Sequence, residues 1–356
     1  MSALSSAGLL ELEAAAASAY ARPSAAQLLP TTSQAEGIPR LERLLLRAAE
    51  SAPRELAPAA RALVKAGGKR VRPLLTLLSA RAAAPHRRAP GRVKLALAAE
   101  LIHSATLLHD DVIDDGLTRR GQPAPRVAYG NGVSVLAGDW LLAASLELTI
   151  SSRVTAALPA LVRTLRLLVE GEARQLALRG STAFTPEDAL EVARLKTGSL
   201  FAWCGEAGAL AASASPRVRE GLREFGQRAG CSFQIADDLL DFEADQTTLG
   251  KAVLADVAEG KPSLPLAIAL ERMPVLRAEM EGLLAQGLGQ PEDPKLLHAR
   301  TRAFAARLSR TGALGAARRI AEHERDAALA ALREVPSSPT RDLLGQVAES
   351  LVTRER

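Results

Sequence analysis

Two acidic motifs interrupt otherwise apolar, helix-patterned stretches, and they limit what this chain can fold into: Asp110-Asp111-Val112-Ile113-Asp114 and Asp237-Asp238-Leu239-Leu240-Asp241. At helical spacing Asp110 shares a face with Asp114, and Asp237 with Asp241, leaving Asp111 and Asp238 about 100° round. Leu101, Ile102, Leu107 and Leu108 before the first motif, and Phe233 and Ile235 before the second, are residues of a core. Carboxylates crowded into a core repel one another and lose hydration unless a cation neutralises them. A solvated helix end would explain one such motif; two with apolar flanks call for a shared hollow. Mg²⁺ suits it, because this hard ion takes one or two carboxylates and fills its octahedron with water and phosphate oxygens.

Aromatic residues make up only 3% of the 356 residues, while Ala, Leu, Arg and Glu dominate, which favours helices and leaves little for a sheet. Apolar residues recur at helical spacing from about residue 37, predicting helices over 39–66, 73–84, 91–115, 133–153, 157–179, 186–212, 216–243, 262–286, 294–332 with a break, and 338–353. No Gly or Pro cluster is long enough for a linker. The reading is therefore an all-α helical bundle around a central cavity, one domain over 37–356. Residues 1–36, rich in Ala and Ser and without a basic start, read as a mobile or loosely docked extension rather than a secretory signal.

The net charge of +5 is scattered rather than gathered into a run, which argues against nucleic acid and for a small anionic substrate. Asp139 and Glu147 interrupt the most apolar segment, 133–150, so no stable membrane insertion is expected. Cys204 and Cys231 form no metal or redox pattern and read as buried thiols of a cytoplasmic protein.

Cations suited to phosphate occur at four places. In Gly67-Gly68-Lys69-Arg70-Val71-Arg72-Pro73 the glycines allow close backbone approach, and Lys69 and Arg72 lie beside the positive end of the helix that Pro73 begins. Arg119-Arg120-Gly121 follows the first motif, and guanidinium forks match phosphate geometry. Lys196-Thr197-Gly198 is the third, and Lys251 with Lys261 the fourth.

Taken in order, GGKRVRP, His103 with DDVID, RRG, GEARQ (171–175), KTGSLF, FQIADDLLD, and GK with EGKPSLPL resemble the trans-polyprenyl diphosphate synthases over roughly 40–270. The resemblance implies an isoprenoid-synthase fold, usually a homodimer, with both aspartate motifs facing across the cavity. It also implies that Asp110, Asp111, Asp114, Asp237, Asp238 and Asp241 bind three Mg²⁺ with an allylic diphosphate. Arg119, Lys196, Thr197, Gln234, Lys251 and Lys261 would contact that substrate, and Lys69, Arg72, His103 and Arg120 would hold isopentenyl diphosphate. His109 reads as a core residue. The family's Gly-Lys-x-x-Gly-x-Asp departs here at Leu254, while Gly250, Lys251 and Asp256 remain.

Short-chain relatives tend to place an aromatic ring four or five positions before the first Asp, where this chain has Thr106 and Ala105. With Ile102 these are expected to line an unplugged tunnel, favouring products longer than geranylgeranyl diphosphate; Ala105→Phe would test it. A short-chain product is the alternative. A terpene cyclase is disfavoured by the second DDxxD and GGKRVRP, and a non-catalytic partner subunit by the full set of charged groups.

Overall fold

Helix α3 (Val71–Ala83) is preceded by α1 (Ile38–Glu50) and α2 (Ala57–Lys65), and it is apolar on nearly every face, as suits a helix surrounded by others. In the computed structural model, which describes residues 37–86, 88–243, 257, 259–287 and 294–352, nearly all of its side chains are buried. The segment 1–36 and the residues around Lys251, including Gly250, Leu254 and Asp256, lie outside the described residues. The chain continues through α4 (Arg92–Ile113), a hairpin of β1 (Thr118–Arg119) and β2 (Gln122–Pro123), α5 (Pro125–Tyr129), α6 (Asn131–Ser151), α7 (Ala157–Leu178) and α8 (Pro186–Ala193). A π-turn (Arg194–Gly198) joins α8 to α9 (Ser199–Ala211). Then come α10 (Pro216–Glu243), α11 (Leu264–Arg272), α12 (Val275–Gly287), α13 (Pro294–Arg310), α14 (Ala313–Ala331) and α15 (Pro339–Val352).

Helix α9 is the second central helix and packs on α10 and α3. Small residues permit the approach: a Cβ on Gly205 would stand 2.1 Å from the Leu222 carbonyl, and one on Gly226 2.2 Å from that of Phe201. Helix α10 bridges two apolar clusters. Leu222, Phe225 and Ala229 join the main core, whereas Ile235 and Leu239 join a second cluster with α11 to α14. The second aspartate motif therefore ends a helix held at both extremes.

The predicted elements differ from the observed ones where proline intervenes. The helix expected over 39–66 is split at 51–56, because Pro53 has no N–H to give and its carbonyl instead accepts from Leu56 and Ala57. The one expected over 262–286 breaks before Val275, at Pro274. The hairpin, unexpected in a chain read as all-helical, is closed by Arg120 (φ 53°) and Gly121 (φ 74°), the left-handed pair of a tight two-residue turn. Helix α6 also corrects a reading. Over 21 residues it is long and apolar enough to span a membrane, despite Asp139 and Glu147. Its face of Ser134, Ala137, Gly138, Leu141, Ser145 and Thr149 is buried, largely against α4, while Leu136, Trp140 and Ile150 are exposed.

Candidate active site

The first motif ends α4, with Asp110 and Asp111 in the last turn and Asp114 as the residue that caps it. Asp111 is fully buried, and one of its oxygens, Oδ1, accepts from Arg119 Nε at 2.9 Å and from Arg119 Nη2. Its other oxygen, Oδ2, is buried without a partner. Asp114 is held twice, by Arg179 Nη1 at 3.1 Å on Oδ1 and by Lys261 Nζ at 3.0 Å on Oδ2. Burial works against the charge of Lys261, but Asp114 and Glu259 outweigh it and hold the ammonium above its usual range. Asp110 makes no such pair. Burial pushes its carboxyl up to about 6, although the charge of Lys196 pulls the other way.

Lys196 is fixed by Glu172 and by Gln175 Oε1 at 3.2 Å, both on α7. It lies in the π-turn, whose extra residue re-aims the helix at a place where such turns often accompany function. The neighbouring Thr197 is buried, and its hydroxyl donates to Gln234 Oε1 at 2.6 Å. Gln234 in turn donates from Nε2 to Asp238 Oδ1 at 2.9 Å. The Leu264 N–H reaches Asp238 Oδ2 at 3.5 Å. Burial first, and then Asp237 beside it, push Asp238 up to about 7 despite the bond from Gln234. Asp237 is exposed and Asp241 half-buried.

These contacts join the two motifs. Asp110 sits by Lys196, Thr197 reaches Asp238 through Gln234, the Leu264 amide follows, and Lys261 returns to Asp114.

A second group of cations gathers beside this ring. Arg72 stacks over the Phe201 ring at 5.1 Å, and its buried Nε has no partner. Burial, and then the charges of Arg72, Arg120, Arg119 and Arg70, hold His103 well below the usual imidazole range, so it is neutral at pH 7. Arg120 packs against Gly68, where a Cβ would stand 2.8 Å from its Nη2. Lys69 is exposed beside it.

Two groups escaped the sequence reading. Arg70 is no ligand of open space: it is buried, donates to Glu100 Oε1 at 2.7 Å and to the Val64 carbonyl at 2.9 Å, and pairs with Glu42 at 3.3 Å. Its left-handed backbone (φ 48°) is held by those bonds and turns the loop between its neighbours Lys69 and Arg72. Arg179 stands just past the end of α7, where sequence gives no sign of its partners. His109 is not the core residue expected: it is half-buried, with Nε2 3.2 Å from the Val135 carbonyl and 3.3 Å from Oδ1 of the exposed Asp139, across from Gly138. Of the three tunnel candidates, Ile102 is fully buried, Ala105 is 2% exposed, and only Thr106 is accessible.

The Polyprenyl synthetase family pattern matches residues 53–298, a span that contains the whole arrangement. The chain belongs to the polyprenyl synthetase family. As a member it is a trans-prenyltransferase, and the family's substrates are isopentenyl diphosphate and allylic diphosphates. It is 36% identical over 295 residues to the octaprenyl diphosphate synthase of Escherichia coli, covering 83% of this chain and 88% of that one. It is 34% identical over 320 residues to a short chain isoprenyl diphosphate synthase of Methanothermobacter thermautotrophicus, covering 88% and 95%. A polyprenyl synthase of Caulobacter crescentus, solved with calcium and isoprenyl diphosphate, superposes with a TM-score of 0.83 at 35% identity over 92% of this chain and 97% of that one.

The family is metal-dependent. The donors here fit a hard divalent ion: the buried Asp111 Oδ2 lacks a partner, and Asp110 and Asp238 are carboxylates whose burial asks for a counter-charge. Among the described residues no three such side chains already converge on one point. Arg119, Arg179 and Lys261 occupy the oxygens instead.

Proposed function

We propose that this family member extends an allylic diphosphate with isopentenyl diphosphate to an all-trans product longer than geranylgeranyl diphosphate. The observation that carries the reading is the ring of contacts joining both aspartate motifs, with a second cationic group beside it. Asp110, Asp111, Asp114, Asp237, Asp238 and Asp241 would hold Mg²⁺, three ions by the family resemblance. When bound, these ions screen the allylic diphosphate and make it a better leaving group.

Lys196, Lys261 and Arg119 place positive charge around that leaving group, Lys251 would join them by the family resemblance alone, and Thr197 and Gln234 orient Asp238. Lys69, Arg72, Arg120 and neutral His103 hold isopentenyl diphosphate with its alkene towards the allylic carbon. The C–O bond breaks with its electron pair on diphosphate, and the alkene pair forms the new C–C bond. A proton then leaves to the departing diphosphate, completing the new double bond. A cavity lined from so aromatic-poor and apolar a helical chain would offer the cation no nucleophile.

Product length rests on Thr106, which puts no ring below the first motif, and on likeness to long-chain relatives such as the Escherichia coli enzyme. A homodimer is the assembly we favour, through the apolar stripe of Leu136, Trp140 and Ile150 on α6 with Val162 and Val169 on α7. We place the enzyme in the cytoplasm and treat 37–356 as one domain. Purified protein with Mg²⁺, an allylic diphosphate and radiolabelled isopentenyl diphosphate should yield polyprenyl diphosphate. Asp110→Ala or Asp238→Ala should lower turnover about 100-fold or more. Wild-type turnover in either variant would refute the assignment of the motifs.

A further inference from the structure

Arg179 makes more contacts with the site than any role named so far uses. From the end of α7 its guanidinium donates to Asp114 Oδ1 at 3.1 Å, to the Ile113 carbonyl at 3.2 Å, to the Asp114 carbonyl at 3.4 Å and to the Glu259 carbonyl at 3.3 Å. Two of these acceptors are the open carbonyls at the end of α4, where a cation is favourably placed. The Glu259 carbonyl belongs to the segment that carries Lys261. The next residue repeats the link in the backbone, where Gly180 N donates to the Gly260 carbonyl at 3.0 Å. This joint is tight, since a Cβ on Gly260 would lie 2.9 Å from Gly180 N. Lys261 closes the triangle by reaching Asp114 Oδ2.

We infer that Arg179 is a positioning residue that sets the distance between the first aspartate motif and Lys261, and thereby the grip on the allylic diphosphate. This rests on the assignment of Asp114 and Lys261 to that substrate. Arg179 serves one substrate only. Of the groups given to isopentenyl diphosphate, Lys69, Arg72 and Arg120 hang on the start of α3 and on the hairpin, neither of which Arg179 touches among its hydrogen bonds, and His103 lies on α4 nearly three turns before the carbonyls that Arg179 holds. Both Arg179 and Lys261 keep about a quarter of their side chain exposed, so the link can be cut without opening a cavity.

The test compares wild type, Arg179→Met and Arg179→Lys in steady-state kinetics with each diphosphate varied in turn, alongside amide hydrogen exchange of the metal-free proteins. Arg179→Met should raise KM for the allylic diphosphate about tenfold, the size of one charged hydrogen-bond set, and leave KM for isopentenyl diphosphate within about twofold. Arg179→Lys keeps the charge but not the fork and should fall between. Exchange over 259–264 should quicken in Arg179→Met. An unchanged allylic KM, an equal rise in both KM values, or unchanged exchange over 259–264 would overturn the inference. A wild-type protein that forms no product from the two diphosphates would instead sink the functional reading, and the exchange comparison would still decide the role of Arg179.

Discussion

Thr197→Val isolates the contact on which the second motif's orientation depends. The two side chains have nearly the same volume, so the buried site keeps its packing and loses only the hydroxyl. That hydroxyl donates to Gln234 Oε1 at 2.6 Å and so fixes which end of the amide faces Asp238. Without it the amide can turn over and present oxygen to a carboxylate oxygen, which repels where the N–H attracted. One buried hydrogen bond contributes about 1 kcal/mol, and losing the orientation of Asp238 adds a similar amount in the transition state alone. We expect kcat/KM for the allylic substrate to fall about fivefold, which corresponds to the transition-state share of about 1 kcal/mol. The melting temperature should fall by only about 1–2 °C in a chain of this length. Thr197→Ser restores the donor and should recover most of the activity. Wild-type kcat/KM in Thr197→Val, or a Thr197→Ser variant as impaired as Thr197→Val, would refute the reasoning.

Two further outcomes follow from burial. Thr106 is the accessible tunnel candidate, so Thr106→Phe should shorten the product by liquid chromatography, whereas Ala105→Phe would force a ring into the packed core and lower stability instead. An unchanged chain length in Thr106→Phe would reject this ruler. Burial pushes the thiols of Cys204 and Cys231 up to about 12, above any ordinary assay pH, so both stay protonated. At pH 8 only about one thiol in ten thousand is thiolate, and iodoacetamide should label them only after unfolding, as read by mass spectrometry. Rapid labelling of the native protein would contradict their placement.

Much of this molecule could be read from residue order because its chemistry is local. Each aspartate motif, with its apolar flank, announces carboxylates at the end of a core helix, and the basic loops are recognisable as groups suited to phosphate. The helix period also carried through α4, α7 and α10. Pro53 and Pro274 were visible breaks, but the apolar rhythm on either side hid them. The role of Arg70 was hidden for a different reason. A motif of three basic residues does not say which one is spent on Glu100 inside the fold, which one stacks on Phe201 and which one is exposed. Arg179 was beyond reach, since apart from Asp114 Oδ1 its acceptors are backbone carbonyls at 113, 114 and 259, which no side-chain pattern encodes. Lys251 has no described position, and its proposed role rests on the resemblance.

The widened turn at Arg194–Gly198 ties Lys196 and the middle of the protein to one screw thread. Lys196 and Thr197 lie on the overwide winding, and Phe201 and Trp203 follow on the regular one, seated against α10 and the Ala157 carbonyl. Removing a single residue from that winding would rotate everything downstream by about 100° and unseat both rings. Variation in this segment is thus restricted to exchanges of side chain, and a change of length by one residue would cost the fold before it altered the chemistry.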